Sequence, residues 1–373
     1  MKILLINNDK GWSGGQEHLK DLATDLIRRG IEIHFVVREG SISDHRFREL
    51  GLPVHAIPGH GFGDIKALFK LVLLLRREQF DIVSVNREHD LLSTAVAWHL
   101  AFPFLKNGKF MMSYHTASKR RQPLLGTADG ILCISEHVRT QLLKGNPKAA
   151  DRVSVVHYGI ALNDPPTPEK FNPHRSRRFF TDIDFPLIGM LGEFWKNQGE
   201  LIEMIPDLKQ AFPGIKVAFV GDNTDQGLTA PIMAKIRTLG VEDSVIFTGR
   251  VSRERIPDIF FDFDLSVTTH RNEGFGIVHL ESLAAGTPVV TYDEGGMVDI
   301  FRGEDVGRVV SGGPKEFSAA VIELLRDDSL RCTLGRHGYN LVERQYSLAD
   351  MGGRYLDFYR KLLASGESAA GTE

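Results

Sequence analysis

Cysteine is almost absent from this chain. The two residues of that type, Cys133 and Cys332, lie in apolar or helical surroundings with no C-x-x-C spacing. That pattern gives no support to a disulfide framework or a zinc site and suits a reducing compartment. Long apolar runs are missing too. None reaches the ~18 residues of a membrane-spanning helix; the nearest, Ala67–Leu75 and Leu91–Leu105, are broken by Lys70 and His99. The apolar opening Ile3-Leu4-Leu5-Ile6 turns polar at Asn7, too soon for a signal-peptide core, and it reads as a buried first strand. The histidines show no H-E-x-x-H or paired metal spacing. Gly11–Gly15 is a poor match to the dinucleotide fingerprint G-x-G-x-x-G, and no repeat of roughly 20–50 residues is visible. These absences disfavour a disulfide-rich module, a dinucleotide oxidoreductase and a solenoid.

What is present suits two soluble cores. A chain of 373 residues with 42% hydrophobic side chains exceeds what one core usually serves, so two domains are expected. Residues 1–165 carry a net charge of +5 and the remainder −8. The positive half is expected to meet something anionic, although a scatter of surface charge explains such a difference equally well. Nucleic acid is not an expected partner.

Short apolar runs at Ile3–Ile6, Glu32–Val37, Ile82–Val85, Phe110–Tyr114 and Gly130–Ile134 alternate with helical patterns at Glu17–Arg29, Ile65–Arg77 and Leu91–Leu100. That alternation predicts an α/β fold with a parallel sheet covered on both faces. Ser135 reads as the N-cap of Glu136–Leu143. Across Asn163–Asp184 prolines and mixed charge erase the periodicity, which marks a linker. Strands then resume at Leu187–Leu191, Lys216–Val220, Ser244–Phe247, Asp264–Thr268 and Pro288–Thr291. Helical stretches accompany them near Glu200–Phe212, Ala230–Leu239, Arg255–Phe261, Val278–Ala285 and Pro314–Arg326. The expected organisation is a doubly wound domain over 1–165, a linker over 166–185 and a second doubly wound domain over 186–345. A C-terminal helix over 346–364 is expected to return to the first domain, with a disordered tail over 365–373.

The chemistry concentrates at His270–Val290. A strand ends near Thr268, a turn containing Gly274 and Gly276 follows, and a helix begins near Ile277. Glycine lets backbone approach a ligand closely and adopt positive φ. The free N–H groups of Gly276, Ile277 and Val278 at such a helix start make an anion site suited to a diphosphate. Glu281, one turn further, is within reach of vicinal hydroxyls, although the helix dipole favours a carboxylate there in any case.

The string from Glu273 through Gly274-Phe275-Gly276-Ile277-Val278 to Glu281, with its continuation to Val290, resembles the Glu-x7-Glu signature of retaining GT-B glycosyltransferases of family 4. Weaker similarities extend over nearly the whole chain. They include Gly14-Gly15-Gln16 ahead of the first helix, Tyr114-His115-Thr116, Ala128–Ser135, Trp195-Lys196-Asn197-Gln198, Val220-Gly221-Asp222, Phe247–Val251 and Gly295-Gly296. The resemblance implies two Rossmann-like domains facing across a cleft, the first for an acceptor and the second for a nucleotide-diphosphate sugar donor. It implies that Glu281 holds the ribose, Glu273 contacts the transferring sugar and Lys196 pairs with the diphosphate. Backbone near Arg250 and Val251 would read the base, while Phe275, Gly276, Ile277 and Val278 would hold the sugar and β-phosphate. Gly14, Gly15 and Gly221 would also line the donor side. His115 would line the reactive centre, and Gln16, Asn86 and Arg87 would face the acceptor. No metal or other cofactor is expected.

The chain departs from the family pattern at three places. Glu193 follows Gly192 where arginine is usual, so Lys196 and the helix start must carry the diphosphate, or Arg271 must substitute. Asn86 stands where histidine is common, and Tyr158 stands before Gly159 where asparagine is usual. Asp262-Phe263-Asp264 imitates a D-x-D metal motif but bridges a helix end and a strand start, which reads as structural. Ile65–Arg77 sets leucines beside Lys66, Lys70, Arg76 and Arg77. This is either a buried helix with basic ends or, together with Lys119-Arg120-Arg121, a contact with an anionic membrane. The expected partners are a nucleotide-sugar donor, a lipid-linked or saccharide acceptor of lipopolysaccharide or polysaccharide type, and the inner face of the cytoplasmic membrane. A nucleotide-sugar epimerase of the same fold and a catalytically silent nucleotide-sugar-binding protein are the alternatives.

Overall fold

The computed structural model describes residues 1–58, 64–102, 108–162 and 165–365. They divide into two compact units, one of Met1–Gly159 with the segment from Leu348 onward, the other of Ile160–Ser347. The expected tail beyond Ser365 lies outside the described residues, as do residues 163 and 164 of the expected linker.

The first unit contains β1 (Lys2–Asn7), β2 (Glu32–Arg38), β3 (Val54–Ile57), β4 (Ile82–Val85), β5 (Lys109–Tyr114), β6 (Gly130–Cys133) and β7 (Val153–Val155). They form one parallel sheet in the order β3-β2-β1-β4-β5-β6-β7. Ile3, Leu4 and Leu5 of β1 are wholly buried, as a strand covered by helices on both faces requires. Helix Gly14–Arg28 contributes Leu19, Leu22, Ala23 and Leu26, spaced three and four apart, to the core against one face. The last helix, Leu348–Ala364, places Met351, Tyr355 and Tyr359 in the same core. Burying each such side chain contributes ~1.5–3 kcal/mol, which ties the end of the chain to the unit that begins it. Arg29 Nη2 also donates to the Ala349 carbonyl at 2.6 Å.

Helix Ile65–Glu78 is two-faced. Ala67, Leu71, Val72, Leu74 and Leu75 are buried, whereas Ile65, Phe69 and Leu73 recur every fourth residue on the outside, with 79%, 61% and 49% exposure. Among the described residues no helix is long and apolar enough to cross a membrane.

In the second unit β8 (Leu187–Leu191), β9 (Lys216–Val220), β10 (Val245–Gly249), β11 (Leu265–Thr268), β12 (Val289–Tyr292) and β13 (Gly307–Val310) form a parallel sheet ordered β10-β9-β8-β11-β12-β13. The stretch read from sequence as a linker belongs to this unit. Arg175 donates to the carbonyls of Phe261 and Phe263, and the buried Asp262 carboxylate accepts backbone N–H groups of Arg178, Phe179 and Phe180 at 2.6–2.7 Å. Asp264 accepts from Leu187 N–H at 2.7 Å and from Arg177 Nη2 at 2.9 Å. Both aspartates of the D-x-D string are therefore fasteners of the fold. The segment has no helical or strand period because side-chain hydrogen bonds hold it.

Candidate functional site

In an open parallel sheet the loops at the carboxyl ends of the strands build the ligand site, where the strand order reverses. In the second unit the reversal lies between β8 and β11. The loop after β8 carries Lys196 and the loop after β11 carries Glu273, and Lys196 Nζ lies 2.7 Å from Glu273 Oε2. Burial alone pushes the Glu273 carboxyl up. The Lys196 ammonium outweighs it, so the group sits below its usual range.

Gly276 closes that loop at φ 88°, where a Cβ would fall 2.5 Å from His279 Nδ1. This left-handed turn lets helix Ile277–Ala284 start abruptly, with its first-turn N–H groups directed out of the helix end. Phe275 anchors the turn in the interior, and Gly296 N–H donates to the Glu273 carbonyl at 2.7 Å. Glu281 is ion-paired with Arg253, which lies three residues past Arg250, beyond the end of β10. Arg250 itself pairs at 3.0 Å with Asp222, next to Gly221 at the end of β9. Val251 and Val278 pack, half-buried, against the apolar cluster containing Phe260 and Phe263. Lys196, Gly221, Arg250, Val251, Glu273, Phe275, Gly276, Ile277, Val278 and Glu281 thus all fall at the carboxyl edge of one sheet.

Arg271 is not a spare cation. It holds Glu200 bidentately at 2.6 and 2.7 Å, lies 3.3 Å from Glu294, and stacks 3.7 Å over the Tyr292 ring. Glu193 is exposed and accepts from Trp195 Nε1 at 2.6 Å. The spacing of these residues in sequence gave no sign of the Arg271–Glu200 or Arg253–Glu281 pairs.

In the first unit the reversal lies between β1 and β4. Gly14 and Gly15 open the helix that follows β1. Gln16 serves that turn, its Oε1 accepting from Ser13 N–H at 2.8 Å and from Ser13 Oγ at 2.6 Å, its Nε2 donating to Asn7 Oδ1 at 3.3 Å. After β4 come Asn86 and Arg87, the latter 3.6 Å from Asp9. His115 follows β5, with Nδ1 2.5 Å from the Tyr158 hydroxyl and Nε2 3.4 Å from Asn86 Oδ1. Burial pushes the His115 imidazole down to about 4. His18, unremarked in the sequence, lies with its ring 4.0 Å from that of Tyr158 and its Nε2 3.1 Å from the Tyr355 hydroxyl.

The chain matches two family descriptions, Glycosyltransferase Family 4 over residues 12–164 and Glycosyl transferases group 1 over residues 178–341. Together these take in most of its length, and the protein belongs to the group 1 glycosyltransferases. Among curated relatives, the capsular polysaccharide biosynthesis glycosyltransferase CapM of Staphylococcus aureus is 24% identical over 86% of this chain and 88% of that one. The D-inositol 3-phosphate glycosyltransferase of Corynebacterium urealyticum is also 24% identical, over 94% of this chain and 92% of the relative. The structure of Anabaena HepE in complex with UDP and glucose matches with a TM-score of 0.80 at 19% identity, over 97% of this chain and all of that one. The fold is GT-B.

Proposed function

We propose that this glycosyltransferase moves a sugar from a nucleoside-diphosphate sugar to a cell-envelope acceptor, with retention at the anomeric carbon and without a metal ion. The observation that carries this reading is the glycine-opened start of helix Ile277–Ala284 beside the Lys196–Glu273 pair, with Glu281 one turn further along. The helix N–H groups and the Lys196 ammonium would stabilise the departing diphosphate, which is the main electrostatic demand of the reaction. Glu281 would hold the ribose, Glu273 the hydroxyls of the transferring sugar, and backbone beside Arg250 and Val251 the base. HepE, with UDP and glucose in its structure, supports a nucleotide donor; CapM, by its name a capsular polysaccharide enzyme, supports a saccharide acceptor. Thermal-shift screening across UDP-, GDP-, ADP- and dTDP-sugars, followed by product analysis, tests the reading, because specific binding raises apparent stability. A glycosylated product supports it. Epimerised donor formed without an acceptor would make the protein an epimerase, and stabilisation without turnover would make it a binding protein.

The acceptor is proposed to be presented at the inner face of an anionic membrane, where the protein would bind from the cytoplasm. The exposed stripe Ile65, Phe69 and Leu73 is flanked by exposed Lys66 and Lys70, and Lys119, Arg120 and Arg121 are exposed on the same unit. Apolar insertion and basic attraction together suit such a surface. Each cation contributes ~1 kcal/mol there, which gives reversible binding that weakens as salt screens it. Co-sedimentation with phosphatidylglycerol-containing vesicles should fall with salt, and should fall for Phe69→Ser and for the triple exchange of Lys119, Arg120 and Arg121 to glutamate. Equal pelleting by all three proteins would assign a soluble acceptor.

A further inference from the structure

Asn86 follows β4 with its side-chain amide buried. One end of that amide faces two backbone carbonyls, Ile6 O at 3.3 Å and Ser84 O at 3.1 Å. Carbonyls only accept, so that end is Nδ2 and the opposite end, facing His115 Nε2 at 3.4 Å, is Oδ1. An amide oxygen also only accepts, which requires a proton on Nε2. In a neutral imidazole Nδ1 is then a bare acceptor, and the Tyr158 hydroxyl 2.5 Å away must be its donor. From this chain of constraints we propose that Asn86 and Tyr158 are positioning residues that hold His115 as the neutral Nε2–H tautomer, a hydrogen-bond donor and not a base at that nitrogen.

The surroundings favour the neutral ring. The titratable neighbours are His18, whose ring centroid is 5.6 Å from that of His115, and Tyr158. The nearby loops after β1 and β4 supply the Asp9–Arg87 pair, whose charges offset one another. A 3.4 Å contact is a weak hydrogen bond, so the Nε2–H, its proton retained, readily exchanges its acceptor, Asn86 Oδ1, for a ligand oxygen. On the proposed function, which this consequence rests on, that oxygen belongs to a saccharide ligand. Two of the three positions where the chain departs from the family pattern, 86 and 158, are thus coupled through one imidazole.

The tautomer is visible without any substrate. In protein labelled with nitrogen-15 histidine, with the His115 ring assigned by its loss in His115→Gln, long-range proton–nitrogen correlations should show Nε2 protonated and Nδ1 bare from neutral to mildly acidic pH. Tyr158→Phe keeps the ring contact with His18 but removes the donor to Nδ1. It should mix the two tautomers and raise the His115 pKa by roughly one unit, since a hydrogen bond to the neutral lone pair favours the unprotonated ring. A proton on Nδ1 in the wild type, or a Tyr158→Phe spectrum identical to wild type, would overturn the assignment. Absence of sugar transfer would sink the proposed function and leave this spectrum untouched.

Discussion

Replacing Lys196 with methionine removes the ammonium 2.7 Å from Glu273 and leaves a carboxylate whose side chain is only 22% exposed. Breaking one partner of a buried ion pair costs ~3–5 kcal/mol, whereas exposed pairs are worth ~1 kcal/mol or less. With some solvent still reaching both groups, about 2 kcal/mol is expected, or ~4–8 °C in melting temperature for a unit of this size. The pH dependence has a definite sign. In the wild type Lys196 holds the Glu273 carboxyl below its usual value against the opposing effect of burial. That contribution to stability is present above the unfolded-state pKa and is lost as pH falls through the lowered folded value. In Lys196→Met burial acts alone, the folded pKa rises above the unfolded one, and the carboxylate is a liability only while ionised. The deficit relative to wild type is therefore full at neutral pH and shrinks in acid, which scanning calorimetry at the two conditions reads directly. Adding Glu273→Leu should restore most of the stability, because both charges are then gone. Nucleotide-sugar affinity should stay low in both variants, by roughly tenfold to a hundredfold for one charge-assisted hydrogen bond. A double variant as unstable as the single, or a deficit that grows in acid, would refute the reasoning.

Glu281→Ala should weaken nucleotide binding by ~1.5–3 kcal/mol with little change in melting temperature; unchanged affinity by titration calorimetry would remove Glu281 from the ribose. Transfer should persist in EDTA, and turnover lost to the chelator but restored by magnesium would refute the metal-free proposal. Asp262→Asn turns an amide NH2 toward backbone N–H groups that three hydrogen bonds now satisfy, and should cost about 3 kcal/mol in denaturant unfolding. Wild-type stability in that variant would show that the segment around residue 178 is held by other contacts.

The central strands were legible because their apolar runs are a direct consequence of burial on both faces. The strands without a sequence signal, β3, β7 and β13, all lie at sheet edges, where most residues are only half-buried and no apolar run is needed. Helix Asp328–Gln345 lacks a clear sequence signal for a different reason. Gly335 and Gly338 lower its intrinsic propensity, yet a Cβ at Gly335 would fall 2.2 Å from the Gly286 carbonyl, so the helix exists through close packing that composition does not announce. Residues 166–185 read as a linker in sequence because their order comes from Asp262 and Asp264, about 80 positions away in the chain.

The same distinction divides the site. The turn at Gly274–Gly276 and the helix after it are local in sequence, so the geometry proposed to bind an anion is legible from spacing alone. Every charge partner at that edge comes from elsewhere: Glu273 for Lys196, Glu281 for Arg253, Asp222 for Arg250, Glu200 for Arg271. On the proposed function, that pairing bears on the choice between Lys196 and Arg271 that Glu193 raises. Arg271 is committed to Glu200 and Tyr292, and Glu193 turns to Trp195 at the surface. No cation waits uncompensated for a diphosphate among these four. Donor binding as proposed must then proceed by exchange: phosphate oxygens replace the Glu273 carboxylate at Lys196, and the released carboxylate turns to sugar hydroxyls. An exchange of that kind would cost little net charge separation, and it would place Glu273 beside the sugar only when the phosphate has arrived.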